Sequence, residues 1–61
     1  MRIACDTGGT FTDLIVEEGG VLQMFKTSTV PSDPVKGVLN GLELIAKHYE
    51  IPLNQLLARV D

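Results

Sequence analysis

Residues 6–13 read Asp6-Thr7-Gly8-Gly9-Thr10-Phe11-Thr12-Asp13. Before them, Ile3-Ala4-Cys5 is a short apolar run that ends at the acid, and after them Phe11 to Glu17 has the apolar centre Leu14-Ile15-Val16. Glycine has no Cβ and accepts positive φ without steric penalty, so a glycine pair between two apolar runs marks a tight turn between two strands. The first run is expected to be a buried strand. The centre of the second, apolar at consecutive positions, is expected to be covered on both faces. The glycine turn leads into a strand and not into a helix. Any anion it binds is therefore met by the amides of a hairpin rather than by a helix dipole.

Moving outward, Glu18-Gly19-Gly20 is a second turn, and Val21 to Thr29 reads as a third strand whose apolar content is Val21, Leu22, Met24 and Phe25. Turns this short join neighbouring strands antiparallel, which makes the three a meander. Pro31-Ser32-Asp33-Pro34 is punctuation: Asp33 suits an N-cap and Pro34 the first helical position. Behind it Val35, Val38, Leu39, Leu42, Ile45, Ala46 and Tyr49 recur at helical spacing and form an apolar stripe. Gly37 and Gly41 share one side of this helix. A glycine inside a helix costs about 1 kcal/mol relative to alanine, so the pair points to close packing of the helix, on the sheet. Ile51-Pro52 breaks the helix, and Leu53, Leu56 and Leu57 fall on one face of a second, short one. The fold class expected is α/β: an antiparallel β-β-β meander over about residues 2–6, 11–17 and 21–29, then helices over about 34–49 and 53–58.

Sixty-one residues make one small domain at most, and a domain of this size is marginal without staples. Cys5 is the one cysteine, so no internal disulfide forms; His48 is the one histidine and lies far from Cys5, so no zinc spacing exists. The hydrophobic fraction of 44% is that of a chain with a core. Three strands and a helix leave a sheet edge and a sheet face to cover, so the chain is expected to be the opening part of a larger domain. The net charge is −3, and the basic residues Arg2, Lys26, Lys36, Lys47 and Arg59 are scattered. That is no footprint for nucleic acid or an anionic membrane. No apolar run approaches the roughly 20 residues of a membrane-spanning helix, and the first residues lack the pattern of a secretory signal. A cytoplasmic protein is expected.

The chemistry lies in residues 6–13. A Gly-Gly turn lets backbone N–H groups converge on an anion, and the missing Cβ atoms at Gly8 and Gly9 let a phosphate come close. Thr7, Thr10 and Thr12 bring hydroxyls. A carboxylate at Asp6 beside phosphate repels it unless a cation intervenes. Mg²⁺ fits that role, since it is held by one or two carboxylates together with phosphate oxygens and water; Asp13 is the second candidate ligand. The other common phosphate motifs, G-x-x-x-x-G-K-[ST] and G-x-G-x-x-G before a helix, are absent. Plainer roles compete for some of these residues: a structurally bonded strand carboxylate for Asp13, satisfied hydroxyls for Thr7 and Thr12. Gly19-Gly20 lacks acid and hydroxyl neighbours of the first turn's kind and reads as structural. Cys5 reads as an inert core residue, and His48 as a surface residue favoured by the helix C-terminus.

The Asp-x-Gly-Gly-Thr pattern at residues 6–10 resembles the first phosphate loop of the superfamily that contains sugar kinases, actin and related chaperones. The longer Asp6-Thr7-Gly8-Gly9-Thr10-Phe11-Thr12-Asp13, with Lys26-Thr27, Pro31-Ser32-Asp33-Pro34, Gly37-Val38 and Gly41-Leu42 behind it, resembles the amino-terminal domain of the hydantoinase A/oxoprolinase family over essentially the whole chain. Cys5 departs from the aliphatic residue commoner at that position. The resemblance implies the opening part of a ribonuclease H-like, actin-like ATPase domain. It further implies an ATP- and Mg²⁺-dependent enzyme acting on a cyclic amide such as 5-oxoproline or a hydantoin, with a second subunit or domain. In that reading Asp6 serves the metal, and Gly8, Gly9 and Thr10 serve phosphate. Some members of the family carboxylate ketones such as acetone or acetophenone. A non-catalytic nucleotide-binding or structural module shares the shorter loop pattern, and Phe11-Thr12-Asp13 is what favours the hydantoinase group over it.

Overall fold

A computed structural model describes all 61 residues, Met1–Asp61. Three strands, β1 (Arg2–Thr7), β2 (Phe11–Glu18) and β3 (Val21–Ser28), are followed by helices α1 (Pro34–His48) and α2 (Leu53–Arg59). The sheet order is β1-β2-β3 and both pairings are antiparallel. This is the expected α/β meander with a helix behind it, consistent with a small domain opening an actin-like fold.

Alternation along β2 decides which face is covered. Thr12, Leu14 and Val16 are buried, whereas Phe11, Ile15 and Glu17 are exposed and Asp13 is half-buried. Ile3 and Cys5 of β1 stand opposite Val16 and Leu14, and Gln23 and Phe25 of β3 do the same from the other side, so these share the helix-facing side. The core is Leu14, Val16, Ile45, Ala46 and Leu56, with Ile3, Phe25 and Leu42 among the side chains packed around it. The helix glycines seat α1 on the sheet as expected. A Cβ at Gly37 would lie 3.3 Å from Ser28 O, and one at Gly41 would overlap the Leu14 side chain.

Within these 61 residues, several sequence expectations need correction. β1 is not a buried strand: Ala4, Cys5, Asp6 and Thr7 are exposed, because β1 is an edge strand and α1 lies mainly over β3 and β2. Cys5 is accordingly exposed and not a core residue. β2 is covered on one face only, leaving Ile15 40% exposed on the other beside Leu22 and Met24. The apolar stripe of α1 is wider than the face it buries: its glycines meet the sheet, and Val35 and Leu39 are turned outward and exposed. Asp33 occupies the N-cap position of α1, but its side chain makes no capping hydrogen bond.

The turns divide the glycines by role. Gly19 and Gly20 have φ of 58° and 81°, the pair of positive values that a two-residue type I′ hairpin requires. Gly8 and Gly9 do not adopt positive φ, so the conformational reason for the first glycine pair does not hold. At Gly8 the reason is space, since a Cβ there would lie 3.0 Å from Phe11 O. After α1, Glu50 has φ 57° and the chain closes a Schellman motif. The Ile51 N–H donates to Ala46 O at 3.0 Å and the Glu50 N–H to Lys47 O at 3.1 Å. Pro52 then starts α2, and Arg59 near its end donates to Glu18 Oε1 at 3.1 Å, tying the last helix to β2.

Candidate functional site

The hairpin joining β1 and β2 has Gly9 and Thr10 at its tip. One backbone bond crosses it there, from the Gly8 N–H to Phe11 O at 2.9 Å. The N–H groups of Gly9 and Thr10 have no acceptor within the chain, and neither does the Thr10 hydroxyl. Of the three loop amides, one is committed to the hairpin and two are available to a ligand. The carbonyls are held from β3's end of the sheet. The Thr29 N–H donates to Thr10 O at 2.9 Å, and the Thr29 hydroxyl donates to Gly8 O at 2.8 Å.

Asp6 and Asp13 are direct cross-strand partners at the root of this loop, and Lys26 of β3 is opposite Asp13. Directly opposed residues project from the same face, so acid, acid and lysine form a row across the side of the sheet that no helix covers. A depression of about 230 Å³ on this face is lined by Asp6 and Asp13 together with Ala4, Ile15 and Met24. Lys26 Nζ is 3.6 Å from Asp13 Oδ1 and 5.0 Å from the Phe11 ring centre, which places the ammonium between an acid and an aromatic face. That separation is too long for a hydrogen bond, and Asp13 Oδ1 is shut from solvent without a donor. Asp13 Oδ1 thus has the Lys26 ammonium as its neighbour, while Asp6 has no cation beside it. No cluster of three or more His, Cys, Asp or Glu side chains forms anywhere in the chain.

The remaining sequence candidates fall on the other side. Thr12 is fully buried on the helix-facing side beneath the hairpin, and its Oγ1 is 2.9 Å from Thr29 Oγ1. Thr7 is opposite Thr12 and exposed, with its Oγ1 4.0 Å from Cys5 Sγ. The structure therefore brings Asp6 and Asp13 together on the open face, leaves Gly8, Gly9 and Thr10 at the hairpin tip outside the depression's lining, and places Thr12 and Thr7 on the opposite face. Sequence reasoning does not single out Thr29. The signal that finds it is register: counting through the Gly19-Gly20 turn puts Thr29 beside Thr10.

The profile of the hydantoinase/oxoprolinase N-terminal region matches residues 2–60. The chain belongs to this family. Two curated relatives carry the same segment. The caprolactamase subunit alpha of Pseudomonas jessenii is 44% identical over 46 residues, covering 74% of this chain and 7% of the relative. The acetophenone carboxylase gamma subunit of Aromatoleum aromaticum is 36% identical over 59 residues, covering 97% of this chain and 8% of the relative. This hydantoinase/oxoprolinase region thus spans less than a tenth of the length of the relatives it matches. No solved structure matches it. None of its helices is long and apolar enough to cross a membrane.

Proposed function

We propose that the protein carrying this segment is a cytoplasmic, ATP-dependent hydrolase of cyclic amides, and that the segment supplies its first phosphate-binding loop. The observation that carries the reading is the hairpin itself: the N–H groups of Gly9 and Thr10 at its tip have no acceptor in the chain, and the Asp6–Asp13 pair lies at its root. Family membership supports the reaction class, and the relative named for caprolactam, a cyclic amide, supports the substrate class. The substrates proposed are 5-oxoproline, hydantoins or related lactams.

In this reading the Gly9 and Thr10 amides and the Thr10 hydroxyl donate to phosphate oxygens, while Gly8 keeps the approach free of side-chain atoms. Asp6 and Asp13 would hold Mg²⁺, an ion commonly bound by one or two carboxylates, which would neutralise phosphate charge beside them. Bound Mg²⁺-ATP supplies a transferable phosphoryl group that makes an unreactive amide oxygen a better leaving function. Positioning and charge neutralisation are the protein's contribution to such a transfer. Lys26, paired with Asp13, sets the charge on the open face. Thr12 and Thr7 support the loop from behind. The acceptor substrate, the general base and the second phosphate loop belong to other parts of the protein, and the relatives' names as subunits favour assembly with a further subunit.

A second reading has its own support: the acetophenone carboxylase relative matches nearly the whole segment. In that case the same loop serves activation of a ketone for carboxylation. The complete protein, with its partner subunits, is to be assayed side by side with 5-oxoproline, hydantoin, caprolactam, and acetone or acetophenone plus bicarbonate. ATP-coupled ring opening is expected. Turnover of ketones alone selects the second reading, and ring opening without ATP consumption, or turnover of none, overturns both.

A further inference from the structure

We propose that Thr29 is the positioning residue of the phosphate-binding loop, a role that rests on the reading above. The first glycine pair lacks the positive φ values that fix the second turn, and a single backbone bond closes it across the strands. Something else must define where its amides point. Thr29 stands just past the end of β3, two strands from β1, yet it grips the loop twice, by its N–H on Thr10 O and by its hydroxyl on Gly8 O.

The consequence follows from peptide planarity. The Gly8 carbonyl and the Gly9 N–H belong to one trans peptide unit and point in opposite directions. Holding Gly8 O toward Thr29 sends the Gly9 N–H the other way, out of the hairpin. Holding Thr10 O likewise fixes the plane that follows Thr10. The Gly9 amide, one of the two free ones, is thereby aimed before any ligand arrives, which lowers the ordering cost of binding; the Thr10 N–H belongs to the Gly9–Thr10 peptide, which Thr29 does not hold.

The hydroxyl chain has one direction. The Thr29 proton is committed to Gly8 O, so in the 2.9 Å contact with Thr12 the Thr12 hydroxyl donates and Thr29 Oγ1 accepts. Thr12 is fully buried, so the chain runs from the core side of the sheet to the loop. Gly37 of α1 leaves the room: a Cβ there would lie 3.3 Å from Thr12 Oγ1.

The test uses the complete protein, with Mg²⁺-ADP affinity from calorimetry and the denaturation midpoint read in parallel. T29V keeps the shape and removes the hydroxyl; T29S and T29C are a matched pair, one with a good hydrogen-bonding group and one with a poor one. T27V is the control, since Thr27 donates to Gly37 O at 3.1 Å and so loses a similar bond away from the loop. T29V and T29C are expected to weaken ADP binding by about tenfold, T29S and T27V by less than about twofold, on the scale of one lost hydrogen bond. Wild-type affinity in T29V overturns the proposal, as does an equal loss in T27V, which marks general destabilisation. If T29V does not fold, T29C decides against T29S, and equal affinities overturn it. Wild-type protein that binds no Mg²⁺-ADP overturns the nucleotide reading itself, and this role with it.

Discussion

Gly41 packs directly on Leu14: a methyl group built at Gly41 would overlap the Leu14 Cδ1 atom, and Leu14 is fully buried. Alanine here gains about 1 kcal/mol of helix propensity, but the fully buried Leu14 side chain must shift within the core to admit the methyl. Forced overpacking in a filled core costs about 1–3 kcal/mol. G41A is therefore expected to destabilise the complete protein by about 1–2 kcal/mol net, read as a lowered denaturant midpoint. The double variant L14V/G41A should lose less than the sum of the single variants, because removing a methylene from Leu14 relieves the overlap. Strict additivity would mean that the two side chains do not compete for the same space.

A second prediction concerns the end of α1. Glu50 holds the left-handed position of the Schellman motif with φ 57°, a place where glycine is the usual occupant. E50G should stabilise by about 0.5–1 kcal/mol, since it removes the Cβ strain at no loss of either capping bond. E50V should destabilise by about 1–2 kcal/mol, as a β-branched side chain fits this region worst. Thermal unfolding of the two variants beside wild type checks both signs; an E50G that melts earlier would show that Glu50 makes a compensating contact.

The meander and the main helix were legible because their signals are local. Two glycine turns, the short apolar runs on either side of them and the Pro34 start each act over a few residues. What was not legible depends on neighbours distant in sequence. Cys5 is as apolar as its run suggests, but its exposure depends on how far α1 reaches across the sheet. Val35 and Leu39 share the helical period of Ile45, and only the seating of Gly37 and Gly41 decides which part of that stripe meets β2 and β3. In the candidate site, Asp6 and Asp13 could be named from the motif, yet their direct opposition follows from register. Thr29 was invisible for the same reason.

The first glycine pair gives a third prediction. A Cβ at Gly9 meets nothing within 4 Å, and the backbone there does not need positive φ. G9A should leave the denaturation midpoint within about 0.5 kcal/mol of wild type, as an unobstructed surface change does. It should nonetheless reduce nucleotide affinity, because the new methyl stands where a phosphate approaches. G8A differs: its Cβ presses on Phe11 O at 3.0 Å, so about 1 kcal/mol of stability goes with it. Measuring affinity and midpoint for both separates crowding of the ligand from damage to the hairpin. Undiminished ADP binding in G9A would take the loop tip out of the binding site.

The last prediction sets stability against function at the acid pair. Asp6 and Asp13 are like charges directly opposite one another on adjacent strands, an arrangement that destabilises a sheet by about 0.2–1 kcal/mol. Asp13 has partial relief from Lys26 at 3.6 Å, a half-exposed pair worth little in itself, whereas Asp6 has no cation beside it. A fold that keeps such a pair without need would be more stable with one acid neutralised. D6N is therefore expected to raise the denaturation midpoint slightly in metal-free buffer and to weaken Mg²⁺-dependent nucleotide binding, the trade expected when a strained site is kept for function. The two readouts discriminate. A purely structural Asp6 predicts a change in stability with no change in the Mg²⁺ dependence of binding. A ligand role predicts that the Mg²⁺ concentration for half-maximal ADP binding rises in D6N, while metal-free ADP binding stays the same or improves because one phosphate-repelling charge is gone.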